Sequence, residues 1–153
     1  MARCSSVSAI GAPQPRDIVL PVSQPEMAPS GFAELIGTEW IDLDPDEARA
    51  RVAVDDRHKQ PYGIVHGGVY ATLAESLCSA ATHMAVQGEG KVAMGQSNST
   101  TFLRPVTEGH VNAVARSRHR GRTTWVWDVE LTDDDDRVCA LVRMTIAVRE
   151  RRD

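Results

Sequence analysis

Residues 66–85 read HGGVYATLAESLCSAATHMA, and this stretch decides how the rest of the chain must fold. Val69, Leu73 and Leu77 recur every four residues, and Met84 continues their face. Since the run also contains no proline, it predicts one long helix from His66 to about Ala85. Small residues beside the apolar stripe would let this helix pack closely on a sheet; they are Ala71, Ala74, Cys78 and Ala81.

The segments around this helix are predicted to be strands, and those at 48–54, 123–131 and 137–149 alternate residues toward one buried face. The predicted strands are residues 38–43, 48–54, 92–104, 110–120, 123–131 and 137–149. Short turns separate the later strands, among them the four aspartates at 133–136, which favours antiparallel pairing. The sequence therefore predicts an α+β fold, in which a curved antiparallel sheet of five or six strands wraps around one long central helix.

The chain divides into two parts by composition. Residues 1–29 carry five prolines and few large hydrophobic residues, which predicts an extended N-terminal arm. Residues 30–153 should form a single domain, opening with a short helix from Gly31 to Ile36 that Ser30 caps.

Composition and motif content exclude several classes of protein. The net charge of −4 gives no basic footprint for nucleic acid, and the five histidines show no metal-ligand spacing. No apolar run reaches the roughly 18 residues of a membrane span, and three cysteines without a close pair indicate free thiols. We expect a soluble cytoplasmic protein without metal or cofactor, whose chemistry comes from carboxylates, amides and backbone donors.

Two adjacent glycines, Gly67 and Gly68, stand at the predicted start of the helix. Glycine there costs backbone entropy, which makes sense if a ligand must approach the main chain closely. Free N–H groups at a helix start, aided by the helix dipole, can hold a developing oxyanion. A tight join between loop and helix would also explain the pair, so both interpretations stay open.

Glu75 is the one fixed charge on a polar stripe of the helix. The stripe consists of Thr72, Glu75, Ser76, Ser79, Thr82 and His83. A solvent face usually carries more charges than this, which makes Glu75 a candidate functional carboxylate, with an ordinary solvent face as the alternative.

The helix geometry places the possible oxyanion donor Gly67 and the candidate carboxylate Glu75 far apart. Gly67 and Glu75 are eight residues apart, which is about 12 Å along the helix axis. One carbonyl cannot contact both, so if both serve one reaction they must come from different chains. Two antiparallel helices in a symmetric dimer would bring them together, which predicts a homodimer with two equivalent sites.

Arginines collect in a few places of an otherwise acidic chain. They are Arg104, the alternating group Arg116, Arg118 and Arg120 on one strand face with Arg122 just after it, and the C-terminal group Arg149, Arg151 and Arg152. Such a cluster could bind a phosphorylated ligand, or it could only protect solvated strand edges.

The run from Gln60 through His66-Gly67-Gly68 to Glu75 resembles the signature of hotdog-fold acyl-CoA thioesterases. It is most similar to the 4-hydroxybenzoyl-CoA thioesterases whose carboxylate lies on the central helix. The resemblance extends through residues 92–98, 102–110, 123–125 and the final strand, and it covers roughly residues 30–153.

This resemblance implies hydrolysis of an aromatic acyl-CoA thioester, such as 4-hydroxybenzoyl-CoA or a close analogue, to the free acid and CoA. Glu75 would be the nucleophile or general base, and the Gly67 amide of the partner subunit would be the oxyanion donor. Gln60 and His66 would orient the thioester and the helix start. Ser79 would lie where the family has a threonine that positions water.

The resemblance also implies a binding site for the nucleotide phosphates of CoA, formed by Arg104, Arg122, Thr123 and Arg152. It further implies a homodimer, and a homotetramer made of two dimers. Ser79 lacks the methyl group of the family threonine, and Ala80 stands where the family pattern has a carboxylate, so the acyl preference stays open. Two alternatives remain: a hotdog acyl-CoA hydratase or dehydratase that uses His66 with Glu75, and a non-catalytic acyl-CoA-binding module.

Overall fold

A computed structural model describes residues 28–151 of the chain. The predicted N-terminal arm, residues 1–29, therefore lies almost entirely outside the described residues, and so does Arg152. Cys78 and Cys139 are buried free thiols, as expected, whereas Cys4 lies outside the described part.

The described residues form two α-helices and six strands. In chain order they are α1 (Phe32–Leu35), β1 (Thr38–Leu43), β2 (Glu47–Ala53), α2 (Gly67–Val86), β3 (Lys91–Phe102), β4 (His110–Arg120), β5 (Thr124–Thr132) and β6 (Val138–Glu150). Single-turn 3-10 helices lie at Asp56–His58 and Gln87–Glu89. Strand bounds differ from the predicted ones by two residues at most.

The strands form one antiparallel sheet in the order β1-β2-β4-β5-β6-β3. The sheet is open, and β1 and β3 are its edges. Helix α2 packs against all six strands, and most extensively against β3. The predicted α+β fold, with one long central helix and an antiparallel sheet, is confirmed.

The core lies between α2 and the inner face of the sheet. Leu73 and Leu77 are fully buried, as the helical spacing predicts, and Trp127 of β5 is also fully buried. The Trp127 indole N–H donates a hydrogen bond of 3.0 Å to the hydroxyl of Thr82. Thr82 is itself fully buried, so its assignment to the polar stripe was wrong: this part of the helix faces β5.

The prediction that Ser30 caps the first helix was also wrong. Helix α1 begins one residue later, at Phe32, and Gly31 is its N-cap with a φ of 58° and no side-chain capping bond. Because the left-handed backbone at Gly31 sets the entry into the helix, Ser30 lies one position too early to cap it. Within the described residues, no helix combines the length and the apolar character needed to cross a membrane.

Candidate active site at the start of the central helix

His66 fixes the start of α2. It is the N-cap, and its ring Nδ1 accepts a hydrogen bond of 2.9 Å from the Gly68 N–H. Its own N–H donates to the His58 carbonyl at 2.8 Å, which ties the helix start to the preceding loop. The neighbouring Gly67 N–H has no hydrogen-bond acceptor among residues 28–151. The helix start therefore offers one free backbone donor, at Gly67.

A cavity of about 450 Å³, the helix-start pocket, opens beside this donor. It is lined by Gln60, Ile64, Val65, Gly67, Tyr70, Phe102, Leu103, Arg104 and Pro105. Three residues singled out from sequence, namely Gln60, Gly67 and Arg104, thus line one cavity. A backbone donor, a side-chain amide and a guanidinium are together suited to a ligand with carbonyl and anionic groups.

Phe102 and Tyr70 form the aromatic wall of this pocket, with ring centroids 6.0 Å apart. A Cβ atom at Gly67 would lie 2.7 Å from Phe102 Cζ, so only glycine leaves both the ring and the backbone in place. Tyr70 is buried, and this burial raises the pKa of its hydroxyl to about 12. The tyrosine therefore remains neutral in the physiological range.

Glu75 lies two turns further along α2 and does not line the helix-start pocket. Its carboxylate rests against the backbone of β3, where a Cβ at Gly95 would stand 2.5 Å from Oε1. The side chain is exposed and pairs with no cation within the described part of the chain. Burial, with a contribution from the Glu75 charge, raises the pKa of the Cys78 thiol and keeps it protonated.

The positions of Ser79 and His66 relative to Glu75 follow from the helix. Ser79 lies one turn after Glu75 and is half-buried. His66 precedes Glu75 by nine residues, about 13 Å along the axis, and its ring is engaged in the cap. One chain therefore does not form the His66–Glu75 pair that a hydratase would use.

The charged side chains show where anions could bind. Ten of the fourteen lysine and arginine side chains in residues 28–151 form ion pairs with carboxylates. The four without a carboxylate partner among the described residues are Arg104, Arg122, Arg149 and Arg151. Two of these four are arginines that the sequence assigned to phosphate binding.

These arginines belong to opposite ends of the sheet. The Arg104 N–H donates to the Cys139 carbonyl at 3.1 Å, whereas the Thr123 carbonyl accepts from the Val148 N–H at 3.0 Å. Cys139 and Val148 are nine residues apart on β6, which is roughly 30 Å along an extended strand. Arg104 and Thr123 therefore lie far apart within one chain, and their shared role in binding the CoA phosphates stays a prediction.

The basic end consists of Arg122, Thr123, Arg149 and Arg151, where β5 begins and β6 ends. The Arg149 guanidinium donates to the Thr123 carbonyl at 2.8 Å, and Arg122 and Thr123 are exposed. Arg152, which the resemblance also assigns to the CoA phosphates, lies outside the described residues.

Sequence reasoning missed four residues of this region: Tyr70, Gly95, Asn98 and Phe102. The role of Gly95 could have been predicted from sequence, because glycine inside a strand often marks the close approach of another group. Asn98 donates from its side-chain amide to the Ala71 carbonyl of α2 at 3.0 Å. Its inward direction depends on the irregular register between Gly95 and Ser97, which no local pattern reveals.

Comparison with known proteins agrees with this fold. Residues 62–140 match the sequence model of the thioesterase superfamily. A crystal structure of a glutamine-to-alanine variant of a thioesterase from Pseudomonas aeruginosa is 38% identical in sequence. It superposes with a TM-score of 0.73 over 76% of this chain and 84% of that chain.

Two sequence relatives carry functional names. The 1,4-dihydroxy-2-naphthoyl-CoA hydrolase of Escherichia coli is 38% identical over 67% of this chain and 75% of its own length. The proofreading thioesterase EntH of Cronobacter turicensis is 35% identical over 76% of this chain and 85% of its own length. The fold and these likenesses define a thioester hydrolase with the hotdog fold. The chain belongs to the thioesterase superfamily.

Proposed function

We propose that this protein hydrolyses aromatic acyl-CoA thioesters, 4-hydroxybenzoyl-CoA or a close analogue, to the free acid and CoA. The observation that carries the proposal is the helix-start pocket, where the Gly67 N–H lies beside Gln60 and Arg104, and neither the Gly67 N–H nor the Arg104 guanidinium has a partner in the part of the chain that the structure describes. The Escherichia coli relative, whose name gives an aromatic acyl-CoA as substrate, supports the aromatic class.

In this proposal the thioester carbonyl accepts hydrogen bonds from the Gly67 N–H and from Gln60, which stabilise the negative charge that develops on its oxygen. The Glu75 carboxylate of the second chain either attacks the carbonyl carbon or removes a proton from the attacking water. The carbon–sulfur bond then breaks, and the CoA thiolate leaves and takes up a proton. Attack by Glu75 would give an anhydride that water hydrolyses.

The free edge of β3 supports a site shared by two chains. An edge strand presents unpaired N–H and C=O groups, and Met94 and Phe102 on this strand are about half exposed. If two copies pair antiparallel about the middle of β3, Gly95 of one copy faces Asn98 of the other. Asn98 contacts Ala71, one turn from Gly67, so the axial distance between Glu75 and the partner's Gly67 falls from about 12 to about 6 Å.

The same pairing would complete a phosphate site. The end of β3 that leads to Arg104 would face the partner's Lys91, at the start of its β3. Lys91 adjoins the basic end, because the Arg151 N–H bonds the Gly90 carbonyl at 3.0 Å. Unpaired arginines from two chains would then converge on one CoA. We propose in addition that two such dimers form the tetramer.

The central test is thiol release from a panel of aromatic and aliphatic acyl-CoA esters. Wild-type protein should turn over benzoyl-type esters fastest, Glu75→Gln should lose at least 100-fold in kcat, and Glu130→Gln, another exposed glutamate, should match wild type. No thiol release from any aromatic ester would refute the proposal. Enoyl-CoA hydration would then indicate a hydratase, and binding without turnover an acyl-CoA-binding module.

The shared site is tested by mixing inactive chains. Glu75→Ala and Gly67→Pro should each be inactive alone, and random reassociation should restore about one quarter of wild-type activity, because half the dimers then hold one intact site. Mixed dimers without activity would contradict a two-chain site. Single-turnover hydrolysis in ¹⁸O-water separates the two routes, since label in the Glu75 carboxylate indicates nucleophilic attack.

A further inference from the structure

Asn98 makes a polar link between the edge strand β3 and the central helix. Its side chain is half-buried on the face of β3 that looks toward α2, and its amide nitrogen donates to the Ala71 carbonyl at 3.0 Å. The Thr100 hydroxyl, on the same face of the strand, donates to the Asn98 amide oxygen at 2.7 Å. Thr100 thereby fixes which end of the amide points to the helix.

The Ala71 carbonyl has a particular place in the helix. In a regular α-helix the carbonyl of residue 71 accepts the N–H of residue 75, which here is Glu75. A carbonyl oxygen has two lone pairs and can accept both bonds. Asn98 therefore holds the backbone group to which the Glu75 main chain is itself hydrogen-bonded.

Strand β3 also contacts the Glu75 side chain directly, at Gly95. Gly95 leaves the space that the Glu75 carboxylate occupies, and the strand register shifts between Gly95 and Ser97. This register shift lies between Gly95, which contacts the Glu75 carboxylate, and Asn98, which is hydrogen-bonded to the helix. The two contacts lie on either side of the irregularity and together set both the height and the direction of Glu75.

Apolar packing alone would hold this position less firmly. Side-chain hydrogen bonds join α2 to the sheet from Asn98 to Ala71 and from Trp127 to Thr82. The second lies seven residues beyond Glu75, deep in the core. Only the first can resist sliding of the helix along β3 at the level of the carboxylate, because apolar contacts are non-directional.

We infer that Asn98, oriented by Thr100, is a positioning residue that places the Glu75 carboxylate for the reaction. The inference rests on the proposed function, because it assumes that Glu75 acts on the substrate. Asn98 acts through the helix backbone and does not touch the reacting atoms in this chain. Since displacement of a catalytic group by about 1 Å can cost up to 100-fold in rate, its loss should appear in kcat.

The test compares Asn98→Ala with Ser99→Ala, the neighbouring exposed residue of the same strand. Asn98→Ala should lower kcat for the best aromatic acyl-CoA about 10-fold and leave KM within about twofold, whereas Ser99→Ala should match wild type. Thr100→Val should lower kcat about threefold, and Thr100→Ser, which keeps the hydroxyl, should restore it.

A double-mutant cycle shows whether the effect passes through Glu75. In the Glu75→Gln background, Asn98→Ala should cause no further loss of the residual rate, whereas general damage to the fold would lower it again. If Glu75→Gln is inactive but Asn98→Ala behaves like Ser99→Ala, this inference alone is overturned. If Glu75→Gln keeps wild-type activity, the proposed function falls with it. If Asn98→Ala does not fold, the Thr100 variants test the inference instead: a lower kcat in Thr100→Val that Thr100→Ser restores supports it, and equal kcat in both variants and wild type overturns it.

Discussion

The start and the middle of α2 offer opposite chemistry. At the start, the Gly67 N–H has no acceptor among residues 28–151, and the described lining of its pocket holds an amide and a guanidinium but no carboxylate. In the middle, Glu75 is an exposed carboxylate, but every backbone N–H around it is used within the helix. A helix has free donors only in its first turn, so one helix cannot supply both groups at one point.

The largest effect is expected where the free donor is removed. Gly67 is the first helical residue, where proline fits the backbone but has no N–H. Gly67→Pro should therefore fold and lose about 100- to 1000-fold in kcat. Gly67→Ala keeps the N–H and only crowds Phe102, so it should lose about 10-fold or less.

Steady-state thiol release measures both Gly67 variants, with circular dichroism as the check of folding. The Phe102→Ala change should recover activity in Gly67→Ala but not in Gly67→Pro, because both variants crowd the ring but only proline also removes the N–H donor. Equal losses in the two variants would mean that space beside the helix start, and not its donor, matters.

The next largest effect is expected at Gly95 of β3, which contacts the Glu75 carboxylate in the middle of α2. A methyl group at this position would displace the Glu75 carboxylate, so Gly95→Ala should lower kcat about 10- to 100-fold while the melting temperature changes little. Gly88→Ala is the matched control, because a Cβ at Gly88 meets nothing within 4 Å. A Gly95→Ala enzyme with wild-type kcat would show that the carboxylate need not rest on β3.

A smaller effect is expected for Arg104 and Arg122, the arginines at opposite ends of the sheet that are proposed to bind the phosphates of one CoA. Arg104→Ala and Arg122→Ala should each raise KM for acyl-CoA about 10-fold with kcat nearly unchanged, and added salt should weaken the wild-type binding. Arg118→Ala should leave KM unchanged, since Arg118 is already paired with Asp128. If only one of the two arginines affects KM, the phosphates are bound by one end alone.

The free energy of unfolding should distinguish the buried Thr82 from Ser76, a half-buried residue of the same polar stripe. Thr82→Val leaves the buried Trp127 indole without an acceptor and should cost about 1–3 kcal/mol of unfolding free energy. Ser76→Ala, on the half-buried part of the helix, should change it by less than about 0.5 kcal/mol. Urea unfolding measures both, and equal values would contradict the role of the Trp127–Thr82 bond.

The smallest effect concerns Tyr70 at high pH. Because burial raises the pKa of this hydroxyl from its ordinary 10 to about 12, its neutral form is favoured in the folded state. The contribution to stability is complete below pH 10 and is lost as the pH rises toward 12. Tyr70→Phe should reduce this loss, and the difference between the two unfolding curves from pH 9 to 12 measures it.

Much of the fold was readable from local patterns. The alternation of Trp125, Trp127, Val129 and Leu131 predicted a half-buried strand, and these residues are buried in β5. The same reasoning failed at Thr82, because the angular position of a residue on a helix does not say what packs against it. It also failed at Ser30, since a cap depends on the backbone of the next residue.

The sequence by itself determined the long helix, the strands and the separation of Gly67 from Glu75, because these follow from spacings of 3.6 and 2 residues. Tertiary structure alone decided that Gln60 and Arg104 meet at the helix start, that Gly95 receives the Glu75 carboxylate, and that Asn98 grips the helix. These pairs, Gln60 with Arg104, Glu75 with Gly95 and Ala71 with Asn98, are 20 to 44 positions apart in the sequence. Their distances depend on how the strands pair and how the sheet wraps the helix, and no local periodicity contains that information.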